Sequence, residues 1–218
     1  MCLVGLNPNT SKDAALDIAS NYNNRNLSIV PNPWDDARGT IRQNGAVAAA
    51  ARVCCAALGD SPCMDMFALQ GMNGLLNEFE MDDVDVMTEG RLNPLIKKAG
   101  IIPYFGRTTA SDQQFWRIVD NITVNWIEVA VKFIADGFRH WKMSKSTKKS
   151  MDASVRAFMH DLKEGEIVRV FTLLVQTDLE RGGVNTNKLW VDLNAEPIGH
   201  VEKVYVNFGV GVMPDIKE

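Results

Sequence analysis

Between residues 112 and 140 the apolar side chains Phe115, Val119, Ile122, Trp126, Val129 and Phe133 recur at spacings of four and three. That period places them on one face of an α-helix. Trp116, Ile127, Ile134, Phe138 and Trp141 widen the stripe, and a helix apolar over so broad an arc needs cover from more than one side. The pattern therefore predicts a helix over 112–140 inside a domain core, with Trp116, Ile122, Trp126, Val129 and Phe133 at its centre. A second amphipathic helix is predicted over 150–163 through Val155, Phe158, Met159 and Leu162, with Gly165 as its stop. Residues 168–175, 189–193 and 201–212 are then β-branched and partly alternating, with turn-rich stretches at 180–183 and 194–199 between them. They read as three strands.

The first third has a different order. Residues 11–25 predict a helix with Ser11 as N-cap and Ala14, Ala15, Ile18, Ala19 and Tyr22 on its inner side. Leu27–Val30 is a short apolar run ended by Pro31 and Pro33, the form of a buried parallel strand. A small-residue helix over 47–58 comes next, closed by Gly59. Helix, strand and helix in succession predict part of an α/β layer. Little sequence precedes them to supply further strands, so this third reads as the end of a domain. Residues 59–110 are rich in Gly, Pro, Asn and Met; a helix over 91–99 and a strand over 101–105 are expected there, with a new helix starting at Ser111 or Asp112. The fold class is thus α/β (α+β): a partial α/β layer, then a C-terminal domain of two helices and a small β-sheet.

At 218 residues, with 46% hydrophobic and 23% charged side chains, the composition is that of a folded domain and excludes a disordered or low-complexity chain. A net charge of −4 provides no global basic surface for nucleic acid. No apolar run approaches the ~18–20 residues of a membrane span, and no basic segment followed by an apolar run opens the chain. A cytoplasmic place of synthesis is expected. Cys2, Cys54, Cys55 and Cys63 are expected to be reduced, buried thiols.

Catalytic motifs are missing from the sequence: there is no P-loop, H-E-x-x-H, G-x-S-x-G or paired C-x-x-C. Gly209-Val210-Gly211 has no helix after it to form a dinucleotide site. His140, His160 and His200 fall on separate elements, without the spacing zinc requires. The carboxylates of residues 78–89 lack the glycine and ligand offsets of a calcium loop and read as a solvated loop. No cofactor and no metal are expected.

Two features remain. Arg139, Lys142, Lys145, Lys148 and Lys149 form a basic connection, either solvated or a docking patch for an acidic surface. The terminal run carries Val201, Val204, Val206, Phe208, Val210 and Val212. It is either a strand of this chain's own sheet or one that adds to another subunit.

An ordered series of passages resembles contractile tail sheath proteins. Asn21-Tyr22-Asn23-Asn24-Arg25, the strand Leu27–Val30 and the helix over 46–58 resemble the later part of the sheath's subtilisin-like domain. Asp60-Ser61-Pro62, Leu92-Asn93 and Lys98-Ala99-Gly100-Ile101 resemble its next passages. Gly106-Arg107-Thr108-Thr109 with Asp112 and the aromatic helix resembles the start of the sheath C-terminal domain, and Glu196-Pro197-Ile198 through Val206 its closing strand. The similarity runs from about residue 12 to 213. Family members usually carry an N-terminal arm and the first strands of the α/β domain ahead of this passage.

The resemblance implies a non-catalytic structural subunit with domains 1–110 and 111–218. It implies hexameric rings stacked around an inner tail tube, with contraction driving the tube through a target envelope. The implied partners are neighbouring sheath subunits, the tube protein and, at the polymer ends, baseplate and terminator proteins, with no nucleic acid and no membrane insertion. The terminal strand would join a sheet with neighbours and the basic patch would face the tube. The implied location is a virion tail assembled in the host cytoplasm. A small α/β enzyme using Cys54 or a histidine, or an α+β binding adaptor, are the rival classes.

Overall fold

The computed structural model describes residues 1–7, 10–32, 34–36, 41–42, 45–61, 63, 69, 72–76, 78–98, 100–104, 106–184 and 187–199. Its mixed helices and small sheets give an α+β fold.

The first layer is a strand–helix–strand unit. β1 (Cys2–Gly5) pairs in parallel with β2 (Leu27–Val30), joined through α1 (Lys12–Ser20). The Ser11 hydroxyl accepts from the Ala14 amide at 3.3 Å, so the expected N-cap forms, and the helix ends at Ser20 rather than Arg25. Ala15 and Ala19, one turn apart, bury against Ile29, Met87 and Leu92. α2 (Gly45–Cys55) covers the same layer through Ala46 and Ala49, which meet Val30, Leu95 and Ile101. Its remaining face is open: Cys54 and Cys55 are exposed, as is Cys2 on β1, and Cys63 is half-buried. The thiols are free, but the expectation of burial fails, because the alanine face of α2 is the one turned inward.

β3 (Trp34–Asp36) lies between β4 (Ile41–Arg42) and β5 (Met72–Leu75) in an antiparallel sheet. The acidic stretch is not a loop. Residues 81–89 form α3 (Met81–Glu89), which buries Val84 and Met87, and Lys12 of α1 pairs with its Asp83 at 2.6 Å. The helix expected over 91–99 is correspondingly absent. β6 (Leu95–Lys97) occupies that position and pairs antiparallel with β7 (Ile101–Pro103). Pro94, next to a run of β-forming residues, favours extended chain there.

Gly106-Arg107-Thr108-Thr109 binds this layer to the helices beyond it. The Thr109 amide donates to the Leu27 carbonyl at 2.8 Å, and the Ser28 hydroxyl to the Arg107 carbonyl at 2.6 Å. On the other side the Thr108 amide donates to the Trp116 carbonyl at 2.7 Å, and the Ile118 amide to the Gly106 carbonyl at 2.8 Å. Thr108 and Thr109 are fully buried, so their hydroxyls need these partners; that of Thr108 donates to the Phe115 carbonyl.

A 3₁₀ turn (Gln113–Phe115) precedes α4 (Ile118–Asp136), then α5 (Lys145–Glu164) and the antiparallel hairpin of β8 (Val168–Thr177) and β9 (Leu189–Pro197). Ile127 of α4, Val155, Met159 and Leu162 of α5 and Val168 of β8 form the buried cluster of this part. The expected core stripe is only partly right. Trp116 and Ile122 are half-buried, but Trp126, Val129 and Phe133 are 44%, 65% and 81% exposed. The neighbouring row of Ile127, Val131 and Ile134 packs against α5 and the hairpin instead. Both rows are apolar; only the three-dimensional arrangement decides which one faces inward.

Candidate assembly surfaces

Two surfaces of the C-terminal part bear on the sequence expectations. The basic connection is mostly helix. Ser144 caps α5, its hydroxyl accepting from the Thr147 amide at 3.1 Å, so Lys145, Lys148 and Lys149 lie in the first turns rather than in a linker before residue 150. Arg139 pairs with Asp136 at 2.7 Å on the surface. Lys148 reaches Glu180 in the turn after β8, its ammonium 2.6 Å from both carboxylate oxygens. That hydrogen bond, aided by the donated Thr177 amide at 2.7 Å, holds the Glu180 carboxyl below the usual carboxylate range. Lys142, Lys145 and Lys149 remain exposed. The structure thus places four of the five basic residues on an open surface and commits Lys148 to an internal contact, one that spans 32 residues and leaves no local signal in the sequence.

The second surface is the hairpin. Among the described residues β8 and β9 bond only each other, so each has an open edge. The Arg169 guanidinium donates to Glu196 across the strands. Arg181 lies over the Trp190 ring at 4.8 Å and pairs with Asp192 at 3.2 Å, and Trp190 Nε1 donates to Asp178 at 2.8 Å. The Arg181 and Trp190 contacts fix the hairpin's outer face near its turn, and the Arg169–Glu196 pair ties the strands at the opposite end. On the inner face an apolar groove runs between β9 and α4. Sequence reasoning missed this groove, although the alternation of Leu189, Val191, Leu193 and Ala195 marks one of its walls. The terminal residues Val201, Val204, Val206, Phe208, Val210 and Val212 lie outside the described residues, as do His200 and Gly209-Val210-Gly211.

His140 and His160 are exposed, His160 standing edge-on to Phe171 at 5.3 Å between ring centres. Among the described residues no group of three or more His, Cys, Asp or Glu side chains is placed to hold a metal, and no helix is long and apolar enough to cross a membrane.

No family model and no curated protein matches the chain. Solved structures do. A chain of the anti-feeding prophage baseplate matches with a TM-score of 0.80 at 10% identity, covering 96% of this chain and 60% of that one. A chain of the contracted sheath complex of the extracellular contractile injection system PVC matches with a TM-score of 0.78 at 12% identity, over 95% of this chain and 63% of that one. The sheath tail protein of Desulfitobacterium hafniense matches with a TM-score of 0.61 at 15% identity, over 94% of this chain and 47% of that one. The chain therefore spans less than two thirds of the length of these neighbours, and over that span its fold is the fold of contractile sheath proteins.

Proposed function

We propose that the chain is a structural, non-catalytic subunit of a contractile sheath, which polymerises as stacked rings around an inner tube and contracts to drive the tube through an envelope. The observation that carries this reading is the likeness to the PVC sheath-complex chain over 95% of the sequence. A contracting polymer needs a subunit with two packings of similar free energy, and a gap of a few kcal/mol per subunit sums over many copies.

In this reading residues 1–110 are the later part of the subtilisin-like domain and 111–218 the C-terminal domain with its arm strand. The buried clusters respect that division: Ala15, Ala19, Ile29, Met87 and Leu92 pack in the first, and Ile127, Val155 and Met159 in the second. Val201, Val204, Val206, Phe208, Val210 and Val212 join a sheet with neighbouring subunits, for which the open edges of the hairpin are suited. Arg139, Lys142, Lys145 and Lys149 face the tube, with Lys148 beside them held by Glu180; exposed pairs of about 0–1 kcal/mol each would hold it yet break stepwise during contraction. Baseplate and terminator proteins cap the polymer, and the site of action is a virion tail or injection particle assembled in the host cytoplasm.

Sedimentation across a concentration series tests the reading. A sheath subunit grows into large species as concentration rises, whereas a small oligomer of fixed size at every concentration contradicts it.

A further inference from the structure

The outer row of α4 is a line of apolar side chains that nothing in the fold uses. Ile122 is half-buried, and Trp126, Val129 and Phe133 are 44%, 65% and 81% exposed. Trp126 leans on Phe158 of α5, ring centres 5.6 Å apart, so it is held in place while one side stays open. Exposed apolar side chains in one continuous line mark an interaction surface, and aromatic ones supply most of the binding energy of such surfaces.

Beside this row, between the end of α2 and the first half of α4, lies an open apolar cleft of about 480 Å³. Val53, Cys54, Leu58, Asp60, Ile122 and Trp126 are among the residues that line it. A cavity of roughly 150 Å³ takes a benzene ring, so the cleft has room for a phenylalanine side chain. Phe133 is the most exposed aromatic residue among those described. It cannot fill the cleft of its own chain, because eleven residues of helix at 1.5 Å each place it about 16 Å from Ile122. A second copy has no such restriction.

The spacing of the row decides how two copies meet. From Ile122 through Trp126 and Val129 to Phe133 the intervals are four, three and four, the same from either end. Two such rows laid antiparallel set Phe133 of each copy against Ile122 of the other, and Trp126 against Val129, so each Phe133 lies at the other copy's cleft. The contact is isologous, and its seam has the spacing by which helices pack along their length. Charge agrees with this arrangement. Asp60 lines the cleft and the exposed Lys132 precedes Phe133; no ion pair among the described residues uses either charge. Docking brings Lys132 of one copy toward Asp60 of the other, opposite charges at the rim of an apolar contact. The four side chains of the row offer on the order of 400 Å² per chain, about half of the ~800 Å² per partner of a stable complex. The cleft walls add to that area, and the pair is one that forms with rising concentration.

We propose that the outer row of α4 is a docking surface for a second copy of this chain, in which two α4 helices pair antiparallel and each inserts Phe133 into the other's α2–α4 cleft. This surface is separate from the hairpin edges and the lysine cluster, and the proposal does not rest on the sheath reading.

Cys54 is a built-in reporter, since it lines the cleft and is exposed in the single chain. In the full chain with Cys2, Cys55 and Cys63 changed to Ser, alkylation of Cys54 by N-ethylmaleimide should slow several-fold between dilute and concentrated protein. Phe133→Ser should abolish that slowing. A rate independent of concentration, or slowing that persists in Phe133→Ser, would overturn the proposal. A companion chain that retains only Cys55, exposed but not among the cleft residues, should show no such slowing; equal slowing at Cys55 would overturn the proposal by assigning it to association through another face. Charge reversal supplies a second route that leaves the aromatic row intact. Asp60→Lys should weaken the protection of Cys54 and Asp60→Lys with Lys132→Asp should restore it, whereas protection unchanged in the single variant, or lost equally in both, would contradict the proposed docking. A chain whose Cys54 is protected but whose sedimentation stops at a dimer retains this inference and loses the sheath reading, and growth into large species without protection does the reverse.

Discussion

Two glycines set how closely the first layer can pack. At Gly45 an added Cβ would lie 2.3 Å from the Asn32 carbonyl oxygen, and at Gly90 it would lie 2.2 Å from Leu16 Cδ2. The obstacles differ: a main-chain carbonyl cannot swing aside, whereas a leucine methyl can change rotamer. Overpacking a tight site costs about 1–3 kcal/mol. Gly45→Ala should therefore fall at the upper end of that range and Gly90→Ala at the lower. Urea melts of the two variants check the order, and a costlier Gly90→Ala would mean that α2 has room to shift away from Asn32.

Glu180 makes a pH prediction at the same scale. Its carboxyl is held below its ordinary range, first by the Lys148 hydrogen bond and then by the Thr177 amide. A depressed carboxylate stabilises the fold above its unfolded pKa, and the contribution is lost as pH falls through the lower folded value. Wild-type protein should thus lose the tie between the hairpin turn and α5 only on acidification below the usual carboxylate range. Glu180→Gln removes that dependence, so the stability gap between wild type and variant should be present at neutral pH and shrink in acid. A gap constant with pH would assign the effect to packing rather than charge. The pair is exposed, so the effect is small.

Among the elements, α4 is where the sequence pattern and the structure part. The helix itself, the capped α1, the strand β2 and the hairpin strands were legible because period and caps are local signals. The inward face of α4 was not, because Trp126-Val129-Phe133 and Ile127-Val131-Ile134 are equally apolar rows, and partners distant in sequence choose between them. The misplaced helix at 81–89, expected at 91–99 with a loop before it, has a similar origin: α3 is held by contacts of Val84 and Met87 with other elements, while its own sequence is acidic and weakly patterned. The lysine cluster was legible as composition, but the Lys148–Glu180 tie and the groove depend on non-local placement. Stability should track the observed rows. Ile127→Ala, which empties a site 3% exposed, should cost ~2–5 kcal/mol, the range for truncating a buried aliphatic. Phe133→Ala, 81% exposed in the wild type, should change a denaturant melt by at most about 0.5 kcal/mol, as surface substitutions do. Comparable losses at both positions would mean that the outer row is covered in the folded protein.

At the scale of the whole molecule the proposed function is assembly, with charge and strand addition as its two means. Replacing Lys142, Lys145 and Lys149 by Glu leaves the Lys148–Glu180 tie in place, so a loss of co-assembly with the tube at low salt would be attributable to the exposed charges. Equal co-assembly of wild type and variant at low and high salt would leave the patch as solvated surface. Deleting residues 201–218 removes the segment proposed to link subunits and should leave soluble protein that no longer polymerises. The most direct measurement is negative-stain electron microscopy of the concentrated wild-type chain beside that deletion. Rings or stacked tubes are expected for the wild type and isolated particles for the deletion; uniform small particles from both, at every concentration, would contradict a sheath function.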